Sequence, residues 1–162
     1  MAETLDISQM LANSYEPKRK FRWILEIDGI DSFTATTAKR PAKTHEQITI
    51  DYINQKRYLA GKGEWQTIEI MLNDPIAPSA RQKVMWWLRL VHDDATGRMG
   101  YAEMYKKNFS LKMLDGLGNV VEKWTFIGAW PTSVDFQDLN YGENDAAQVQ
   151  FTIRMDSCFL EF

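Results

Sequence analysis

The chain is short of the residue types that build metal sites and disulfide bonds. It has one cysteine, Cys158, and two histidines, His45 and His92, among 162 residues. A single cysteine cannot form an internal disulfide, which is typical of a reducing compartment. A zinc site needs three or four ligands at set spacings, and two distant imidazoles do not supply them. We therefore expect no metal site, and a buried thiol at Cys158 beside Phe159 and Leu160.

Long apolar runs and an excess of positive charge are also missing. No stretch approaches the roughly 18 consecutive apolar residues that cross a bilayer as a helix. The formal net charge is −3, so there is no overall positive field to attract nucleic-acid phosphates. The first residues lack a basic segment followed by an apolar one. We expect no secretory signal, no membrane anchor and assembly in a cytoplasm.

The sequence offers no convincing catalytic arrangement. Cys158 with a histidine is the one conceivable nucleophile–base pair, and no recognisable nucleophile motif surrounds it. Gly116 and Gly118 lack the third glycine and the following helix of a phosphate loop, so they indicate a hairpin turn. Glu143 and Asp145 lie in a polar segment and are interpreted as solvated. We expect no catalytic residue, no bound cofactor and no enzymatic activity.

What is present is the composition of one folded domain with many short strands. Hydrophobic residues make up 44% of the chain and charged residues 25%, which is ordinary for a globular protein. Apolar and polar residues alternate in several segments separated by turn residues. A first hairpin is predicted between 21–28 and 32–38, after an N-terminal arm over 1–20. The further predicted strands span a long hairpin over 41–62, then 65–72, 109–113, 120–127, 132–139 and 147–155.

One helix is predicted, from Ser79 to about His92. Ser79 stands three residues before Gln82, as in a capping box that satisfies free amides at a helix start. At 100° per residue the core stripe consists of Ala80, Val84, Trp87, Leu88 and Val91. The segment 93–108 is interpreted as a loop. The fold class is therefore mainly β, either a β-barrel or two packed antiparallel sheets, with one flanking helix.

The aromatic residues pose a choice between stacking on a ligand and filling the core. Six tryptophans could stack on sugars or bases, but most fall on apolar strand or helix faces. We expect Trp23, Trp65, Trp87 and Trp124 in the core. Other apolar groups have no evident core to enter; these are Trp86, Leu90, Ile53 and Tyr58. Such residues suit a protein that buries them by self-assembly.

Three segments carry a resemblance to a known family. The first is Tyr58–Trp65, followed by Asn73-Asp74 and the helix start Ala80-Arg81-Gln82-Lys83. The second is Gly128-Ala129-Trp130-Pro131-Thr132-Ser133-Val134, and the third is the final strand Phe151–Asp156. In order, spacing and total length the chain resembles the tail tube proteins of T-even-type contractile bacteriophages, from about residue 21 to residue 156.

The resemblance implies a structural protein with the tube fold that type VI secretion tube proteins share. Six copies would form a ring whose inner strands close a continuous β-barrel, and stacked rings would form a hollow tube in a contractile sheath. The implied partners are the sheath, the tape measure protein, and the baseplate and terminator proteins. DNA would pass without specific binding, and the location would be the virion tail. A type VI or phage-derived particle tube and a baseplate initiator or terminator ring remain alternatives, as does a monomeric lectin-like or nucleotide-binding barrel.

Three sets of residues are predicted to act in assembly. The inter-ring stacking set lies in the long hairpin and comprises Ile50, Tyr52, Ile53, Asn54, Gln55, Lys56, Arg57 and Tyr58. The lumen-facing set is polar, because each exposed cation would pair with passing phosphates; it comprises Thr49, Asp51, Gln148, Gln150, Thr152 and Arg154. An acidic neighbour is expected beside Arg154. Trp86 and Leu90 are predicted to contact another subunit or the sheath, unless the chain's own loop over 93–107 covers them.

Overall fold

The computed structural model describes residues 16–162, so most of the predicted arm lies outside the described residues. The strands of the described part are β1 (Trp23–Ile27), β2 (Ala35–Ala38), β3 (Lys43–Tyr52), β4 (Gln55–Trp65), β5 (Ile68–Asn73), β6 (His92–Asp93), β7 (Arg98–Met99), β8 (Lys107–Leu114), β9 (Val120–Asp135), β10 (Gln148–Arg154) and β11 (Ser157–Leu160). The helices are α1 (Ala80–Val91) and α2 (Ala102–Tyr105), with a 3-10 turn at Ser32–Thr34. The prediction of a mainly β fold is confirmed.

Two antiparallel sheets share the long strand β9. Its first part pairs with β8 and β11, and β1 extends that sheet from the far side of β8. Its last part pairs with β10, followed by β5 and β2. The order β1-β8-β9-β10-β5-β2 has free ends at β1 and β2, so the described strands form open sheets and not a closed barrel. Between the two parts stands Gly128 at φ +65°, where a Cβ would clash with the Asp156 carboxylate.

The core lies between these sheets and follows from strict alternation in their strands. In β5, Ile68, Ile70 and Leu72 are buried, as predicted, while Glu69 points to solvent. In β10, Val149, Phe151 and Ile153 are buried in the same way. The rings of Phe109 and Phe126 stack across β8 and β9 with centroids 4.4 Å apart. Burying each such side chain stabilises the fold by roughly 1.5–3 kcal/mol.

Helix α1 has the predicted position and start. The Ser79 hydroxyl accepts a hydrogen bond from the Gln82 amide at 3.4 Å. Ala80, Val84 and Trp87 are buried, and the Trp87 indole donates to the Tyr105 carbonyl at 2.6 Å. That bond satisfies the indole N–H of a side chain that is otherwise enclosed by apolar groups. Neither described helix is long and apolar enough to cross a membrane.

Several predicted details are wrong. The first hairpin does not form: β1 pairs with β8, and β2 pairs with β5, because the 3-10 turn redirects the chain after a single bridge between Ile27 and Ile30. The segments 120–127 and 132–139 are one strand that ends at Asp135. The loop over 93–108 contains β6, β7 and α2. Of the four tryptophans expected in the core, only Trp87 is fully buried. The others are half-buried and pack against the core; they are Trp23, Trp65 and Trp124.

The β3–β4 hairpin continues the pairing of β2 with β5 beyond the core. The Lys39 amide bonds to the Glu69 carbonyl at 3.0 Å and the Gln66 amide to the Ala42 carbonyl at 2.8 Å, so the ladder runs on without a turn. Every residue of β3 is exposed, and so is β4 except for Gly61 and Trp65. At roughly 3.3 Å per residue, strands of ten and eleven residues extend about 30 Å from the body.

Candidate assembly surfaces

The predicted stacking residues lie together at and near the end of this hairpin. Tyr52 pairs with Gln55, which leaves Ile53 and Asn54 as a two-residue turn. Ile53 is 98% exposed and has φ +41°, a left-handed conformation that is unusual for a β-branched residue. Tyr52 and Tyr58 are also more than half exposed. The hairpin end therefore presents apolar groups that nothing in the described chain covers.

The charges of the hairpin end are mainly positive. Lys56 and Arg57 follow the turn, and both are exposed. The Lys56 ammonium lies 3.8 Å from the Asp51 carboxylate, with both side chains largely in water. A solvent-exposed pair of this kind contributes about 0–1 kcal/mol. The hairpin end thus combines a strained apolar tip with cationic groups that remain available to a partner.

The predicted lumen-facing residues fall on two separate surfaces. Gln148, Gln150, Thr152 and Arg154 share the face of β10 that points away from the core. Cross-strand neighbours on this face are Glu69, Met71 and Asn73 of β5 and Trp130, Ser133 and Asp135 of β9. Thr49 and Asp51 lie on β3 in the hairpin, beyond this sheet. The prediction that Arg154 has an acidic neighbour is confirmed, since its guanidinium forms an ion pair with Glu64 near the base of the hairpin.

Trp86 and Leu90 have different environments. Trp86 is 60% exposed, and the Lys107 ammonium lies 6.0 Å from the centroid of its ring. Leu90 is half-buried and packs against the core, so the prediction that it points away from the core is wrong. The reason is that α1 is covered on a second side, where Gly100 lies against the Leu90 carbonyl so closely that a Cβ there would clash. A partner contact for either residue stays a prediction.

A buried carboxylate that sequence reasoning missed ties the N-terminal segment to the sheets. Glu122 is 2% exposed and accepts hydrogen bonds from Lys18, Arg40 and the Trp124 indole, each at 2.5 Å. Burial raises the pKa of Glu122, but the ammonium, the indole and the guanidinium together outweigh burial and hold that pKa below its ordinary value. In the sequence, Glu122 alternates with Trp124 and Phe126, and this pattern indicates that Glu122 shares the strand face that points inward.

A second missed feature is the connection between β9 and β10. Every residue from 135 to 147 is exposed, including Leu139 at 91% and Tyr141. The segment 136–147 contains Asp138, Glu143 and Asp145 and no lysine or arginine. In the sequence, this segment stands out as a polar stretch that also contains large apolar residues.

Cys158, the candidate nucleophile, is buried, whereas His92 is exposed. Burial raises the pKa of the Cys158 thiol to about 11, so the thiol is protonated at neutral pH and a poor nucleophile. Within residues 16–162 no group of three or more histidine, cysteine, aspartate or glutamate side chains is placed to hold a metal ion. The His92 ring lies 3.0 Å from the Asp94 carboxylate.

Solved structures share this fold at low sequence identity. A sheath/tube terminator of the PVC extracellular contractile injection system has a TM-score of 0.77 at 14% identity, over 92% of this chain and 99% of that one. The tube-terminating cap of the anti-feeding prophage also has a TM-score of 0.77, at 17% identity over 97% and 99% of the two chains. Hcp1 from Flavobacterium johnsoniae has a TM-score of 0.52 at 13% identity, over 87% and 95%.

A family comparison goes further than the fold. No curated protein matches the sequence. The model of the T4-like virus tail tube protein gp19 matches residues 19–158, which is most of the chain. That family consists of structural tube proteins and not of enzymes, in agreement with the expectation of no catalytic site. The chain belongs to the T4-like virus tail tube protein gp19 family.

Proposed function

We propose that this chain is the repeating subunit of the inner tube of a contractile phage tail. Six copies form a ring, and rings stack into a hollow tube through which DNA passes into the host. The observation that carries this proposal is the β3–β4 hairpin, whose apolar end is exposed within the described part of the subunit. Such a surface is an aggregation hazard on a monomer and a joint in a stacked assembly.

The outward face of β10 is proposed to line the channel. With its cross-strand neighbours it presents amides, hydroxyls and carboxylates beside Met71 and Trp130, and the Arg154 guanidinium forms an ion pair with Glu64. Free cations on a channel wall would hold passing DNA through charge-assisted contacts with phosphates. A polar wall whose cation is already paired would allow rapid passage. Thr49 and Asp51 would extend this surface toward the next ring.

The free edges of β1 and β2 support ring formation. Edge strands expose unpaired backbone N–H and C=O groups, and closure with neighbouring copies removes them. Trp86 is proposed to meet a second subunit or the sheath protein, because it is a large apolar group on an exposed helix face. The further proposed partners are the tape measure protein inside the tube and the baseplate and terminator proteins at its ends.

Two alternatives keep the same fold. One is the tube of a type VI secretion system or of a phage-derived injection particle. The other is an initiator or terminator ring, which the likeness to a tube terminator and a tube cap supports. Rings of a terminator do not stack on one another, so the purified protein would form single rings and no tubes.

Electron microscopy of the purified protein tests the proposal. We expect six-fold rings and tubes of variable length, with a polar channel wall in the averaged image. A monomer at every concentration and salt would contradict the assembly, and single rings alone would favour the terminator alternative. A channel wall dominated by unpaired lysine and arginine would contradict the assignment of β10.

A further inference from the structure

The connection from 136 to 147 and the end of the hairpin lie at opposite ends of β5. The hairpin leaves from the beginning of β5, where the Gln66 amide bonds to the Ala42 carbonyl. The connection reaches the other end of the same strand, where the Asp74 amide bonds to the Ala147 carbonyl at 2.9 Å. The Gln148 amide group also donates to the Asn73 side chain there, at 3.1 Å. One subunit therefore carries the two surfaces at opposite poles, as head-to-tail stacking requires.

The two surfaces are complementary in charge. The hairpin end carries Lys56 and Arg57, and the Asp51 carboxylate lies 3.8 Å from Lys56, which leaves one net positive charge. The connection carries Asp138, Glu143 and Asp145 and no basic residue. Within the described residues none of these three carboxylates forms an ion pair, and Arg57 forms none either. Opposite potentials on two poles favour one orientation of stacking and disfavour head-to-head contacts.

The two surfaces are also complementary in shape. The hairpin ends in Ile53, an almost fully exposed apolar group. The connection holds a concavity of about 190 Å³ whose lining is mainly polar and acidic, with an apolar part that includes Phe136, Leu139 and Ala146. Among the described residues other than glycine, Ile53 and Gln137 are the two with positive φ, so each surface contains one strained backbone position. Backbone strain of this kind persists where a functional surface demands it.

We infer that the connection 136–147 of one subunit is the socket for the hairpin end of a second copy of this chain in the adjacent ring. Ile53 enters the concavity beside Leu139, while Lys56 and Arg57 meet the acidic side chains that line it. This inference rests on the proposed function, because it names the surface that the hairpin meets when rings stack. It assigns a role to a segment that has no part in the core.

Complementary charge reversals test the pairing. Lys56→Glu/Arg57→Glu makes both poles acidic, and Asp138→Lys/Asp145→Lys makes both poles basic. In each variant alone, the like-charged poles of adjacent rings repel each other. Because this contact repeats in every subunit, we expect about a tenfold or larger loss of sedimenting tubes, while rings still form. Mixing the two kinds of ring creates attractive junctions in alternation, and tubes return. Arg98→Glu/Lys20→Glu, which reverses equal charge elsewhere, leaves stacking unchanged.

A second pair of variants tests the apolar part. Leu139→Ser removes an apolar group from the socket, whereas Leu117→Ser makes the same change at a leucine of equal exposure in the β8–β9 turn. Only the first is expected to reduce tube formation. Analytical ultracentrifugation and electron microscopy report rings and tubes separately. Free rings in the mixture, or normal tubes from either charge-reversed variant, would contradict the inference that the connection is the socket. Absence of rings from the unmodified protein would instead contradict the proposed function.

Discussion

The two-sheet body and the β3–β4 hairpin use the same alternating sequence pattern with opposite results. In the body, the apolar residues of β5 and β10 are buried between the sheets. In the hairpin, Ile48 and Ile50 alternate just as regularly, yet both are more than 40% exposed. The body is therefore stabilised by its own packing, whereas the hairpin relies mainly on its backbone ladder, and an isolated hairpin is marginal in water. This difference is the basis of the proposal that other subunits bury the hairpin.

The largest expected effect lies at the centre of the body. Trp87→Ala removes a buried ring and its hydrogen bond to Tyr105, and we expect a loss of about 3–5 kcal/mol in the free energy of unfolding. Chemical denaturation of the subunit measures this loss. The control is Trp86→Ala on the same helix, which is mostly exposed and should leave subunit stability nearly unchanged while weakening assembly. Equal destabilisation by both would show that α1 is not divided into a core face and a free face.

The Glu122 cluster should give an intermediate effect that depends on pH. Glu122→Gln removes the charge that Lys18 and Arg40 meet, and we expect a loss of about 1–3 kcal/mol at neutral pH. The folded protein holds the pKa of Glu122 below its ordinary value. The ionised carboxylate therefore stabilises the folded state at pH values above its ordinary pKa of about 4.3. This stabilisation is lost as the pH falls through the lower pKa of the folded state. The unmodified protein and the variant should converge in stability toward acid pH.

Melting temperatures across this pH range measure the convergence. Glu161→Gln is the matched control, because Glu161 also meets a lysine and a hydroxyl but on an exposed strand end. It should change the melting temperature little at any pH. A difference between the unmodified protein and Glu122→Gln that stays constant down to acid pH would contradict an ionised Glu122 in the folded state.

Shortening the hairpin should have a small effect on the subunit and a large one on the assembly. Replacing Thr49–Tyr58 by Asn-Gly, a favoured two-residue turn, joins Ile48 and Leu59, which already pair, and removes exposed residues of the hairpin end. We expect a change below about 0.5 kcal/mol in subunit stability, as for other surface changes. Rings should form, but tubes should not. Sedimentation and electron microscopy check both, and tubes of ordinary length would contradict the stacking role.

The smallest expected effect is at the ion pair between Arg154 and Glu64. Both side chains are partly exposed, so Arg154→Gln should cost about 0–1 kcal/mol of subunit stability. Glu64→Gln should cost as little, yet it frees the guanidinium toward the proposed channel. Comparing DNA delivery by particles that carry each variant sharpens the assignment of this face. We expect slower delivery from Glu64→Gln than from Arg154→Gln, and the reverse order would contradict it.

The sequence predicted the elements that depend on residues nearby in the chain or that show a regular alternation of apolar and polar residues. The capping serine at Ser79 and the alternation in β5 and β10 appear in the structure as expected. The pairing of β1 was mispredicted because the turn after Ile27 resembles a hairpin turn, while the true partner β8 lies more than 80 residues further on. Strand pairing at that separation depends on packing against the whole sheet, which local pattern does not report.

The candidate surfaces were predicted unevenly for a related reason. The hairpin end stood out because Ile53 and Tyr58 had no core to enter, and their exposure agrees with that reasoning. Leu90 was misjudged because helical periodicity assumes a single covered face, whereas a second segment covers it. The connection 136–147 was passed over because its acidic residues resemble an ordinary solvated loop. Its proposed role depends on its position at the other end of β5 from the hairpin, and that position is visible only in three dimensions.

Amide hydrogen exchange compared between isolated subunits and assembled tubes tests the central claim most directly. Exchange rates report the free energy of local opening, element by element. The account predicts that β5, β9 and β10 are protected in both states, whereas β3 and β4 exchange rapidly in the subunit and become protected in the tube. Equal protection of the hairpin in both states would contradict the claim that its stability comes from neighbouring subunits.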